Sequence, residues 1–149
     1  MTTTATRAAP AALRLFSCIR LDEVCVLQGA PIIGALFAAA HPSLAALPTF
    51  ALLVAGNLCL VGHVFVLNDW AGIDTDQMDP TRAAGTFRAR GVSRAAMGGL
   101  ALALLAAGLA LLGLINREAG LIGLLIALLS AAYSGPILHG KGVPLFSSA

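Results

Sequence analysis

From Leu44 to Leu67 the chain carries no charged side chain, and the next stretch, Asn68 to Asp79 (NDWAGIDTDQMD), holds four carboxylates. At about 1.5 Å per residue an apolar run of that length crosses the hydrocarbon core of a bilayer as a helix, and little else can use it. Acidic side chains at the mouth of such a helix are costly and call for a cationic partner or a function. The rest of the composition agrees: 58% of residues are hydrophobic and 11% charged, against roughly a quarter charged in a soluble domain. Mean hydropathy is +0.90. Ala, Leu and Gly abound, which suits closely packed transmembrane helices, and no barrel-like alternation is present. The expected fold is all-α, a polytopic transmembrane helix bundle.

Four spans are expected, at about 21–40, 44–68, 94–115 and 119–138, with Pro31 kinking the first. His41-Pro42-Ser43 and Asn116-Arg117-Glu118 form tight connectors, and residues 1–19 read as an N-terminal tail. A secretory signal is disfavoured because Asp22 and Glu23 interrupt the junction between Arg20 and the first apolar run. Arg7, Arg14, Arg20, Arg82, Arg88, Arg90, Arg94 and Lys141 fall on one side of these spans and only Arg117 on the other. The positive-inside rule then places both termini and the acidic loop in the cytoplasm. A net charge of +2 without a basic patch gives no reason to expect nucleic acid. Cys18, Cys25 and Cys59 lack metal-ligand spacing and read as small apolar residues.

If the second helix continues through the acidic run at 100° per residue, Asp69 and Asp76 lie about 20° apart, with Asn68 and Asp79 to the same side and Asp74 roughly opposite. Pro80 biases Asp79 away from helical angles. Asn68, Asp69 and Asp76 therefore share a face, with Asp79 left open beside them, and hard oxygen donors of this kind suit Mg²⁺, which takes one or two carboxylates and keeps positions for water and phosphate. An EF-hand is excluded, since Met78 and Asp79 stand where its next ligand and Gly belong. The plainer alternative is a solvated acidic loop paired with nearby arginines.

Asn68-Asp69 and Asp76, the basic loop leading to Arg90-Gly91-Val92-Ser93, and Tyr133-Ser134-Gly135-Pro136 followed by Lys141 resemble the UbiA family of intramembrane prenyltransferases. The resemblance covers nearly all of residues 20–146. Gly72 stands where the family pattern has an acidic residue, Arg82 follows Asp76 one position early, and Ala83 replaces a Pro. What the resemblance implies is a Mg²⁺-dependent transfer of a prenyl group from a polyprenyl pyrophosphate to a lipophilic, often aromatic, acceptor inside the membrane lipid. It further implies that Asn68, Asp69 and Asp76 are the metal ligands and that Arg20, Arg82, Lys141, Tyr133 and Ser134 contact the pyrophosphate.

The family's members are about twice as long and carry a second Asp-rich loop, whereas here no Asp or Glu follows Glu118. Residues 20–149 are thus expected to correspond to an N-terminal half, inactive without a C-terminal half, in a prokaryotic plasma membrane. Trp70 and Tyr133 also have the simpler reading of interfacial anchors, and His63 that of a helix-packing residue. Arg20 could form a local ion pair with Asp22 or Glu23. The rival from another class is a small non-enzymatic four-helix membrane protein that binds cations or serves a transporter. It requires ionisable residues inside the spans, and His63 is almost the only one.

Overall fold

The computed structural model describes residues 10–38 and 43–134. In chain order these form α1 (Ala11–Phe16), α2 (Leu21–Val26), α3 (Gly29–Ala38), a 3₁₀ turn (Leu44–Ala46), α4 (Leu47–Met78), α5 (Pro80–Ala83), α6 (Arg94–Ile115) and α7 (Arg117–Ser134). Among the described residues four helical segments are long and apolar enough to cross a membrane, Leu21–Ala38, Leu44–Met78, Arg94–Ile115 and Arg117–Ser134. The fold is the expected all-α bundle.

Helix α4 is the axis of the bundle, packing most extensively on α6 and also on α7, while the first span touches it along a shorter seam. Within lipid, apolar burial gives no transfer gain, so association depends on close contact. Gly108 of α6 supplies it: a Cβ there would stand 3.1 Å from the Leu60 backbone nitrogen and 3.2 Å from the Gly56 carbonyl oxygen of α4. The two backbones approach because neither position carries a side chain. Leu60, Leu112 and Ala127 fill the core at this level. A larger cluster, including Ile19, Val24, Val66, Ile73, Phe87 and Met97, lies toward the acidic end. Leu102, Leu114, Leu121, Ile122 and Leu125 point outward.

Helix ends follow their sequence signals. Ser93 Oγ accepts from the Ala96 amide at 3.1 Å and caps α6, and Asn116 Oδ1 accepts from the Ala119 amide at 2.7 Å where α7 begins. Three features differ from expectation. The first span breaks at Leu27–Gln28, one turn ahead of Pro31, because Pro31 has no N–H to give to the Leu27 carbonyl. Part of the N-terminal tail is helical, as α1. The second helix does not stop near Asn68 but runs 32 residues to Met78, so the carboxylates are mounted on a rigid rod. Cys18 is buried as expected, Cys59 partly so, and Cys25 is exposed on the outer face of α2.

Candidate functional site

Past Leu67, α4 rises as a continuation of the same helix, and its two sides meet different neighbours. One side faces a cavity of about 470 Å³ lined by Arg20, Asn68, Asp69, Ile73, Asp76, Thr81, Arg82, Gly85, Thr86 and Phe87. Asp69 and Asp76 are two helical turns apart and so share that side, as the 100° rotation requires. Asn68 Oδ1 is buried and has no hydrogen-bond partner. Asp74 points the other way and pairs with Arg94 at 3.1 Å.

Two guanidiniums close the cavity. Arg20 Nη2 donates to Asp69 Oδ1 at 2.9 Å, and Arg20 Nη1 reaches Glu23 at 3.4 Å. Arg20 sits at φ 54°, ψ 54°, a left-handed conformation and the one positive φ among the described non-glycine residues. Such a conformation costs of order 1 kcal/mol or more in a residue with a Cβ. It ends the turn after α1 and aims the side chain across to α4, with the guanidinium 5.9 Å from the Phe65 ring centre. Burial works against the Arg20 charge, but Asp69 and Glu23 outweigh it and hold its pKa above the ordinary arginine value. Arg82, on α5, lies 3.4 Å from Asp76 and 3.4 Å from Asp79.

Asp79 is not a member of the ligand set that the helical rotation allowed it to join. Its backbone is extended, and its Oδ1 accepts from the Thr81 amide at 2.8 Å and from the Thr81 hydroxyl at 2.7 Å. These bonds, the hydroxyl first, hold its pKa below the usual carboxylate value. Asp79 caps α5, with Pro80 at the first helical position, and thereby orients Arg82.

The walls contributed by Thr81, Gly85, Thr86 and Phe87 escaped the sequence reading. The Asp-Pro-Thr helix start was a legible signal for the first; Phe87 became visible only once the loop was folded back into the core, where it is 4% exposed. That loop is anchored by Arg90, whose Nη1 donates to the Ser17 carbonyl at 2.6 Å, and by Gly91 at φ 71°, packed under Arg14. Burial pushes the neighbouring Cys18 thiol pKa up.

Of the expected site residues, Arg20, Asn68, Asp69, Asp76 and Arg82 are brought together around one cavity. Tyr133, 41% exposed, and Ser134 end α7 without lining it, and Lys141 lies outside the described residues, as do His41 and His139. His63 is buried, its Nδ1 donating to the Ala101 carbonyl at 2.8 Å. It is a helix-packing residue. Trp70 is more than an interfacial anchor, since its Nε1 donates to the Arg94 carbonyl at 3.1 Å and its ring lies 5.1 Å beneath the Arg94 guanidinium.

Among the described residues no three His, Cys, Asp or Glu side chains converge as a metal cage. The oxygens at this cavity are the Asp69 and Asp76 carboxylates, each paired with an arginine, and the unpartnered Asn68 Oδ1; as donor types these fit Mg²⁺ and not a softer ion. A family model described as the UbiA prenyltransferase family matches residues 29–148. No curated protein and no solved structure matches the chain.

Proposed function

Because the chain belongs to the UbiA prenyltransferase family, we propose that the cavity at the end of α4 binds the diphosphate of a polyprenyl donor together with Mg²⁺. The prenyl group would pass to a lipophilic acceptor within the membrane. The observation that carries this reading is the pairing of opposite charges around one cavity: Asn68, Asp69 and Asp76 on the helix, Arg20 and Arg82 across from them. Asn68 Oδ1, buried without a partner, is a polar atom that a ligand would satisfy.

In the reaction the allylic C–O bond breaks, the electron pair leaves with the diphosphate, and the acceptor's nucleophilic atom takes the prenyl carbon and gives up its proton. Asn68, Asp69 and Asp76 would hold Mg²⁺, which supplies charge neutralisation for the departing diphosphate. Arg20 and Arg82 donate to phosphate oxygens, where planar guanidinium donors are strongest. Thr81 and Thr86 offer hydroxyls from the cavity wall. Tyr133 and Ser134 end α7 outside the cavity lining, and with Lys141 they would extend the diphosphate contacts. The apolar tail lies against the helices, below the charged mouth. That mouth faces the cytoplasm of a prokaryotic plasma membrane, in keeping with the distribution of Arg and Lys.

The rival reading, a cation-conducting or transport subunit, finds little support: His63, the ionisable side chain deep in α4, is tied to the Ala101 carbonyl.

The test is donor binding by the full chain in lipid nanodiscs. Geranylgeranyl diphosphate should be retained with Mg²⁺ and released by a chelator. Asp76→Asn should weaken Mg²⁺-dependent retention by about 100-fold, the scale for removing one charged partner of a charge-assisted site. Retention that ignores both the chelator and the substitution would end the proposal.

A further inference from the structure

The cavity's two arginines are engaged by its two carboxylates, and each has a second carboxylate behind it. Arg20 lies between Asp69 at 2.9 Å and Glu23 at 3.4 Å; Arg82 lies between Asp76 and Asp79, both at 3.4 Å. We propose that Arg20 and Arg82 act as exchangeable blockers of the acidic site, so that a divalent cation is captured strongly only together with a diphosphate. The inference rests on the diphosphate reading above and adds to it a specificity rule: bare cations are refused.

Pairing is the reason. Asp69 and Asp76 are each held by a guanidinium, Arg20 and Arg82 respectively, so a cation entering alone must displace both and break two ion pairs without offering either arginine a new acceptor. A diphosphate changes the sum, because its oxygens accept from the guanidiniums while the carboxylates turn to the metal. The outer carboxylates give each arginine a position to pivot about: Glu23 for Arg20, Asp79 for Arg82. The pivots differ in freedom. The Arg82 side chain is 69% exposed with both of its contacts at 3.4 Å, whereas the Arg20 side chain is 43% exposed, in shorter contact with Asp69, and fixed by its left-handed backbone. Arg20 is therefore the stronger block. The two ligands bind with positive coupling, and coupling of this kind is reciprocal.

Mn²⁺ binding to the full chain in nanodiscs, read from the loss of the free-ion paramagnetic resonance signal with and without inorganic pyrophosphate, tests this directly. The unaltered chain should bind Mn²⁺ weakly alone and about 30-fold more tightly with pyrophosphate, within the usual range of heterotropic coupling. Arg20→Gln should bind Mn²⁺ alone about tenfold more tightly than the unaltered chain and gain only about threefold from pyrophosphate. Arg20→Lys, which keeps the charge, should behave like the unaltered chain, and its behaviour guards against loss of fold. Arg88→Gln removes an equal charge from the loop that follows α5, where Arg88 is bonded to Gln77 at 3.3 Å, and should change neither affinity by more than about twofold. Mn²⁺ affinity unchanged in Arg20→Gln, or raised equally in Arg88→Gln, would overturn the blocking role while leaving the diphosphate site standing. Absence of any Mn²⁺ binding with pyrophosphate present would instead overturn the diphosphate site itself.

Discussion

The last turns of α4 present two polar faces that look alike in composition and differ in how fully they are satisfied. On the back face Trp70 gives its N–H to the Arg94 carbonyl, Arg94 lies over the Trp70 ring, and Asp74 pairs with Arg94. Every group there has a partner on α6. On the cavity face Asn68 Oδ1 has none, and Asp69 and Asp76 are met by arginines reaching in from α5 and from the turn before α2. The back face is joined within the protein; the cavity face is joined provisionally, across an open space. Polar groups that are closed on one another hold a fold, and those left open in a cavity are available to a ligand.

Separating the two faces by substitution gives the largest effect first. Trp70→Ala removes the ring packed against Gly98, whose Cβ would meet Trp70 Nε1 at 3.2 Å, together with the bond to Arg94. It should cost about 3 kcal/mol of stability, the lower end of the range for truncating a packed aromatic residue because Trp70 is only half-buried. Mn²⁺–pyrophosphate affinity should stay within about threefold. Thermal unfolding in detergent and the Mn²⁺ titration measure the two halves of this statement. A collapse of binding with little loss of stability would show that the back face belongs to the site.

Asn68→Leu is the converse and smaller. The Asn68 oxygen is buried without a partner, so an apolar side chain of similar volume should leave stability unchanged or raise it by up to about 1 kcal/mol. Metal affinity in the presence of pyrophosphate should fall about tenfold, the effect of losing one oxygen ligand from a site that retains two carboxylates. A stability loss comparable to that of Trp70→Ala would make Asn68 a packing residue and erase the contrast between the faces.

Much of this was legible in the residues themselves. The spans follow from apolar runs, and the split between Asp69 with Asp76 and Asp74 follows from helical rotation alone. The break at Leu27–Gln28 was displaced by one turn from the residue that causes it, since a proline disturbs the carbonyl four residues earlier. The left-handed Arg20 had no local signal, because nothing in Ile19-Arg20-Leu21 demands it; the tertiary contact with Asp69, 49 residues away, is what holds it. Phe87 and Arg90 likewise owe their places to the loop's return onto α1 and Ser17. Residues paired through long-range contacts leave no periodicity to read.

Asp79 gives the smallest effect and the finest test of the division. It stands in the acidic run but serves the fold, capping α5 through Thr81. Its pKa is depressed in the folded chain, so its contribution is fully present above the ordinary carboxylate pKa and is lost as pH falls through the lower folded value. Acidification should therefore release the Thr81 amide and loosen the helix that carries Arg82 before it disturbs α4 or α6. Amide exchange followed by mass spectrometry across 80–90 should show this opening on the acid side only, and Asp79→Asn should remove its pH dependence, since its uncharged amide has no carboxylate left to titrate. If the opening persisted unchanged in Asp79→Asn, the Asp79 cap would not govern the loop, and its place on the fold side of the division would be lost.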